Sequence, residues 1–119
     1  MRDDYTTTRQ QMLKAIETTG EDPQDVVCIW QECIGEDGFR VGSWDDQYLK
    51  MPLHRDVPAT ELPEREYYGG YGGVDGDPVI GFGPKFVYVK GCYDGNEWIE
   101  AIPRHPESVT LPLPEVGGG

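Results

Sequence analysis

The chain has 119 residues, enough for one hydrophobic core of ordinary domain size and too few for two. Its 22 Asp and Glu against 10 Lys and Arg give a formal net charge of -12 at pH 7 and a pI near 4.3; that field has the wrong sign for a phosphate backbone or an anionic membrane surface and the right sign for a basic partner. Three Trp, seven Tyr and three Phe supply core material that a disordered chain lacks, no apolar run is long enough to span a bilayer, and no apolar stretch follows the acidic Met1–Asp4 start to serve as a secretory signal.

Residues 6–19 carry the pattern of an amphipathic helix: Met12, Leu13, Ala15 and Ile16 fall on one side, with Arg9, Gln10, Lys14 and Glu17 elsewhere. Thr7 with Gln10, or Thr8 with Gln11, has the spacing of a capping box, and Gly20 is placed to end the helix in a left-handed conformation. Pro23 then blocks continuation within the acidic turn 21–25. The β-branched, apolar stretch Val26–Ile34 predicts a central strand, followed by a turn at Gly35-Glu36-Asp37-Gly38 and a return strand over Phe39–Trp44. From Asp45 to Glu66, Pro52, Pro58 and Pro63 predict a long connection without a ladder, lying over the core or forming a binding surface. The run Tyr67-Tyr68-Gly69-Gly70-Tyr71-Gly72-Gly73 predicts a loop. Val79–Phe82 reads as a short strand, and Phe86–Tyr93 and Glu97–Ile102 read as a hairpin across Asp94-Gly95, a dipeptide suited to a type I′ turn. The expected fold is α+β in one domain over 1–110: a helix on an antiparallel sheet of four to six strands built from two hairpins, with 111–119 as a loose tail.

The residues that carry chemistry do not assemble into a signature. Cys28, Cys33, Cys92, His54 and His105 are enough ligands for a zinc site, but Cys28 and Cys33 sit on a predicted strand instead of a tight turn, so buried structural thiols are the expectation and no cofactor is assigned. Three cysteines at irregular spacing also fit a reducing compartment such as the cytoplasm better than a disulfide framework. Cys28 with His54, or Cys92 with His105, remain open as nucleophile–base pairs, and nothing selects either. The glycine run lacks the Lys of a phosphate-binding loop.

The acids gather in groups, and two of them, Glu21, Asp22 and Asp25 with Glu36, Asp37, Asp45 and Asp46, are expected to form one negative face if the helix end and first hairpin lie on the same side. Spaced carboxylates stand in for phosphates against an Arg- or Lys-lined groove. Tyr67, Tyr68 and Tyr71 beside glycines have the composition of an adaptable recognition loop, with packing onto the sheet as the equal alternative. Small size, strong acidity, an α+β pattern and no catalytic signature make the chain similar in type to phage and mobile-element proteins that block host defence, anti-CRISPR proteins among them. The resemblance covers composition over the whole chain, with no shared motif and no residue to carry over. It implies a non-enzymatic inhibitor that occupies the DNA or RNA groove of a basic protein or nucleoprotein complex, without binding nucleic acid or membrane itself. A self-associating accessory protein is the second expectation, and a small enzyme or metal-binding protein the third.

Overall fold

The computed structural model describes residues 5–34, 40–42, 46–68, 76–93, 96–109, 111, 113 and 115. A two-residue strand, β1 (Tyr5–Thr6), leads into the helix α1 (Thr8–Thr19). Thr7 caps it: its hydroxyl oxygen accepts the Gln10 N–H at 3.0 Å, satisfying one of the donors a helix start leaves without a partner. Gly20 ends it with φ 79°, donating its N–H to the Glu17 carbonyl. The helix therefore starts two residues later than its periodicity suggests, because Thr6 is held in a ladder with Tyr67.

After a 3₁₀ turn at Pro23–Asp25 come β2 (Val27–Gln31), a 3₁₀ turn at Asp46–Lys50, β3 (Leu53–Pro58) and a 3₁₀ turn at Ala59–Glu61. Then follow β4 (Tyr67–Tyr68, paired with β1), β5 (Val79–Phe82), β6 (Phe86–Tyr93), β7 (Asn96–Pro103) and a last 3₁₀ turn at Pro106–Ser108. The main sheet is antiparallel throughout, in the order β3-β2-β5-β6-β7. One helix on a five-stranded antiparallel sheet is the α+β architecture expected, and the β6–β7 hairpin pairs over Phe86–Pro103 to Tyr93–Asn96, as its turn dipeptide predicts.

The middle of the chain departs from expectation. Leu53–Pro58 forms a ladder with β2 despite its prolines. Pro52 precedes the strand, Pro58 is its last residue, and β3 lies at the sheet edge, where a missing N–H costs no ladder bond. A bulge between the Cys28 and Trp30 pairings absorbs Asp56 at φ 56°, a left-handed conformation that Asp tolerates better than most side chains. In the sheet β2 lies between β3 and β5, and the return strand expected over Phe39–Trp44 is described only in part. Of that predicted strand, only residues 40–42 are described: Arg40 bridges to Ile34, and the Val41 N–H donates to the Cys33 carbonyl at 2.7 Å. The rest of it lies outside the described residues, as does the turn 35–38.

Strand alternation separates two faces. The row Val57, Cys28, Gly81, Tyr88 and Ala101 crosses the sheet on the side covered by α1, and Met12, Ala15 and Ile16 pack there with Val26, Leu62 and Val79. The opposite side carries the rows Val27, Phe82, Val87, Ile102 and Ile29, Ile80, Val89, Glu100. At its end Trp98 lies over Gly91, its cross-strand partner, so closely that a Cβ on Gly91 would stand 2.5 Å from Trp98 Cε2. Gly91→Ala must displace the indole, and a loss of about 1–3 kcal/mol is expected from this overpacking. Urea unfolding measures it, and Trp98→Leu in the same chain should restore most of it; a Gly91→Ala variant as stable as the parent would refute the close packing.

Candidate binding surface

Of the residues singled out for partner binding, Glu21 is spent inside the fold. Its carboxylate accepts from the Lys85 N–H at 2.8 Å and from the Tyr88 hydroxyl at 2.8 Å, tying the helix end to the β5–β6 turn. Tyr88 is buried and within 2.7 Å of the Thr19 hydroxyl. Asp22 is exposed and caps the next turn, accepting the Gln24 N–H at 2.9 Å. Asp25 and Asp46 are exposed as well. Glu36, Asp37, Asp45 and Tyr71 lie outside the described residues, so the expected union of the 21–25 and 36–46 acids is not drawn from these positions.

What the fold brings to the 21–25 turn is a different set of acids. The Ala59 N–H donates to the Val26 carbonyl at 3.0 Å and Val27 pairs with Pro58, which places the 23–25 turn against the 59–61 turn and the end of β3. Asp22, Asp25, Asp56 and Glu61 are all exposed on these neighbouring turns and the strand edge, and none forms an ion pair among the described residues. Glu64, a little farther along, pairs with Arg9 at 2.6 Å, and Glu32 lies 3.2 Å from His54 Nε2. Sequence reasoning missed this rim because Asp56 and Glu61 fall in the segment read as an unpaired connection.

Tyr67, expected at a recognition surface or packed on the sheet, takes the second place. It is 3% exposed, its hydroxyl donates to Gln11 Oε1 at 2.6 Å, and burial drives its pKa upward. Tyr68 pairs through its backbone with Tyr5. Above the Tyr67 ring stand Lys90 Nζ, 5.2 Å from its centroid, and Arg65 at 5.8 Å. Lys90 pairs at 2.6 Å with the fully buried Glu97 side chain, which also accepts the Gly76 N–H at 3.2 Å. Asp77, likewise buried, accepts the Cys33 N–H at 3.1 Å and faces Arg65 at 3.9 Å, while Arg40 donates to the Gly76 carbonyl at 3.2 Å. Desolvation pulls the Lys90 pKa below its ordinary value, with Glu97 opposing it. This network fastens residues 76–78 to β6 and β7. The sequence held a signal for it: in Phe86, Tyr88, Lys90 and Cys92, and in Glu97, Ile99 and Ala101, a charged residue occupies an inward register.

The candidate ligands stay apart in role. Cys28 and Cys33 are buried free thiols and Cys92 is half-buried; His54 stacks on Trp30 with ring centroids 4.5 Å apart, and His105 is exposed. Among the described residues no hydrogen bond joins a cysteine to either histidine, and no group of three or more His, Cys, Asp and Glu is placed to hold a metal ion. No described helix is long and apolar enough to cross a membrane. Protein-family models, curated proteins and solved structures offer no match to this chain.

Proposed function

We propose that the protein works by occupancy: it binds a basic, nucleic-acid-handling protein or nucleoprotein complex in the cytoplasm and inhibits it, in the manner of the anti-defence proteins it resembles in type. The observation that carries this reading is the rim of Asp22, Asp25, Asp56 and Glu61, exposed carboxylates that form no ion pair among the described residues, on a chain of net charge -12. Such a rim steers a basic partner and docks through charge-assisted hydrogen bonds once it arrives.

Affinity purification of the tagged protein from its native cell at low salt, followed by elution with rising salt, identifies the partner. Asp25→Lys with Glu61→Lys is the informative variant, because Asp22 serves as a cap and Asp56 holds a left-handed backbone, so changing those would also disturb the fold. The two reversals move the net charge by four, from -12 to -8. Affinity should fall about tenfold, mostly through a slower on-rate, and the wild-type complex should weaken as salt rises. Binding insensitive to both salt and the reversals would overturn the electrostatic reading. A second reading, a self-associating assembly protein, draws on the apolar outer face of the sheet; a stable oligomer by light scattering would favour it.

A further inference from the structure

The main sheet ends in two different edges. β3, on one side, carries the defences usual for an exposed edge: a bulge with Asp56 at φ 56°, the charged Arg55, and Pro58 as its last residue. β7, on the other side, pairs with β6 in unbroken register from Asn96 to Pro103. The phase of that ladder is fixed. The pair Tyr93–Asn96 closes a two-residue turn, so Asn96, Trp98, Glu100 and Ile102 exchange bonds with β6, and the same phase reaches the Arg104 N–H, which donates to the Lys85 carbonyl at 2.9 Å. Glu97, Ile99, Ala101 and Pro103 therefore turn their backbone groups away from the sheet. The Glu97 carbonyl does so visibly, accepting from the Gln11 side-chain amide at 2.8 Å. That bond blocks one end of the edge, and Pro103, which has no N–H, ends the other. Between them, the outward N–H and C=O of Ile99 and Ala101 meet no hydrogen-bond partner among the described residues.

We propose that this edge takes up a strand from a partner protein: an antiparallel extended segment with a Lys or Arg at its centre and apolar side chains two residues to either side. Ile99 and Ala101 each exchange two backbone bonds with the residue opposite. The segment's central residue then faces Glu100 across a pair without ladder bonds, the closer kind of cross-strand pair, with Cα atoms about 4.5 Å apart. Glu100 is half-buried and is the only charged residue of the row Ile29, Ile80, Val89, Glu100. A cationic side chain opposite it forms a cross-strand ion pair, and apolar neighbours two positions away rest beside Trp98 and Ile102.

Register argues against a second copy of β7 as that strand. Only one antiparallel register lets two copies satisfy Ile99 and Ala101 together, Ile99 of each against Ala101 of the other, and it sets the two Glu100 carboxylates face to face. Sliding by two residues one way brings Ala101 against Glu97, whose carbonyl Gln11 already holds. Sliding the other way brings Ile99 against Pro103, which has no N–H to give. The net charge of -12 on each copy adds repulsion. The basic centre of the segment agrees in sign with the partner proposed above, but β7 and the rim beside β3 lie at opposite sides of the sheet, so the two surfaces can be tested apart.

The probe is a capped nine-residue peptide of alternating valine and threonine with lysine at its centre, added to the full chain labelled with nitrogen-15. Saturating peptide should slow solvent exchange of the Ile99 and Ala101 amide protons about tenfold, and leave those of Trp98 and Glu100, already bonded to β6, as they were. Glutamate in place of the central lysine should weaken binding about tenfold, and Glu100→Lys should invert the preference. Methylating the backbone nitrogens of the two threonines beside the lysine keeps the charge and removes the ladder donors, so binding should vanish. A methylated peptide that binds like its parent overturns the proposal, as does protection that misses Ile99 and Ala101, or no binding at all. Protection that needs no peptide and grows with protein concentration would seat a second copy on the edge and overturn it too. Asp25→Lys with Glu61→Lys, a sheet's width away, should leave peptide affinity within about twofold at physiological salt. A larger loss would mean that the general field holds the peptide, and the edge would fall while the rim stood.

Discussion

Glu97→Ala is expected to destabilise the protein by about 3–5 kcal/mol, the cost of leaving a buried ammonium without its counter-charge. The Glu97 side chain has no exposed surface and Lys90 little, so neither can turn to water without opening the packing between β6, β7 and Tyr67. Removing both charges should cost far less than the sum of the single changes. Lys90→Met keeps the length of the stem, and Glu97→Gln keeps an acceptor for the Gly76 N–H, so the double variant loses the ion pair without orphaning that donor. A coupling of about 1–3 kcal/mol from urea unfolding of the four proteins is the expected result. Additive losses would show that the pair contributes nothing beyond packing, and the network would then be a consequence of the fold and not one of its supports.

Local rules made the periphery of the fold legible and failed where tertiary pairing decided. Thr7 and Gly20 bracket α1 because capping needs only the helix's own backbone, and Asp94-Gly95 placed the β6–β7 hairpin because a two-residue turn fixes register by itself. The pairing of β2 followed no such rule. Its partner on one side, β3, contains Arg55 and Asp56 and is bounded by prolines, a composition that reads as a loop in isolation. It becomes a strand only because an edge position accepts a bulge and a terminal proline.

The candidate surface was legible to a smaller degree, for the same reason. Exposed acids are visible in any sequence, but which turns adjoin is a property of β2–β3 pairing, so Asp22 and Asp25 meet Asp56 and Glu61 without any signal in the spacing. Tyr67 shows the converse. A tyrosine beside glycines has the composition of a recognition loop, yet the β1–β4 ladder turns its ring inward onto Gln11, Arg65 and Lys90. Composition reports what a residue is able to contact, and topology decides whether it faces a partner or the core.

Stability is expected to fall steeply on the alkaline side, and the buried thiols and phenols set the sign. Burial pushes the Cys28 thiol up from 9.0 to about 12. The unfolded chain therefore releases this proton near pH 9 while the folded chain keeps it. The stabilisation is complete below pH 9 and is lost as the pH climbs towards 12, roughly 4 kcal/mol over that interval at about 1.4 kcal/mol per pH unit. Cys33, Tyr67 and Tyr88 are raised in the same way, by burial first, and act with the same sign. Lys90 opposes them: its pKa lies below 10.5 in the folded state, so over the interval between the two values the unfolded chain holds the extra proton and stability gains as the pH rises. Four groups against one leave a net decline that begins near pH 9. Urea midpoints measured across this range should drop progressively in the parent. In Cys28→Ala they should start lower, from the lost packing, and decline with a shallower slope, since one of the protons that the folded chain retains is gone. An unchanged slope would mean that Cys28 ionises with little cost in the folded protein, and that the row joining Val57, Cys28, Gly81 and Tyr88 opens to water more readily than its packing against Met12 and Ile16 implies.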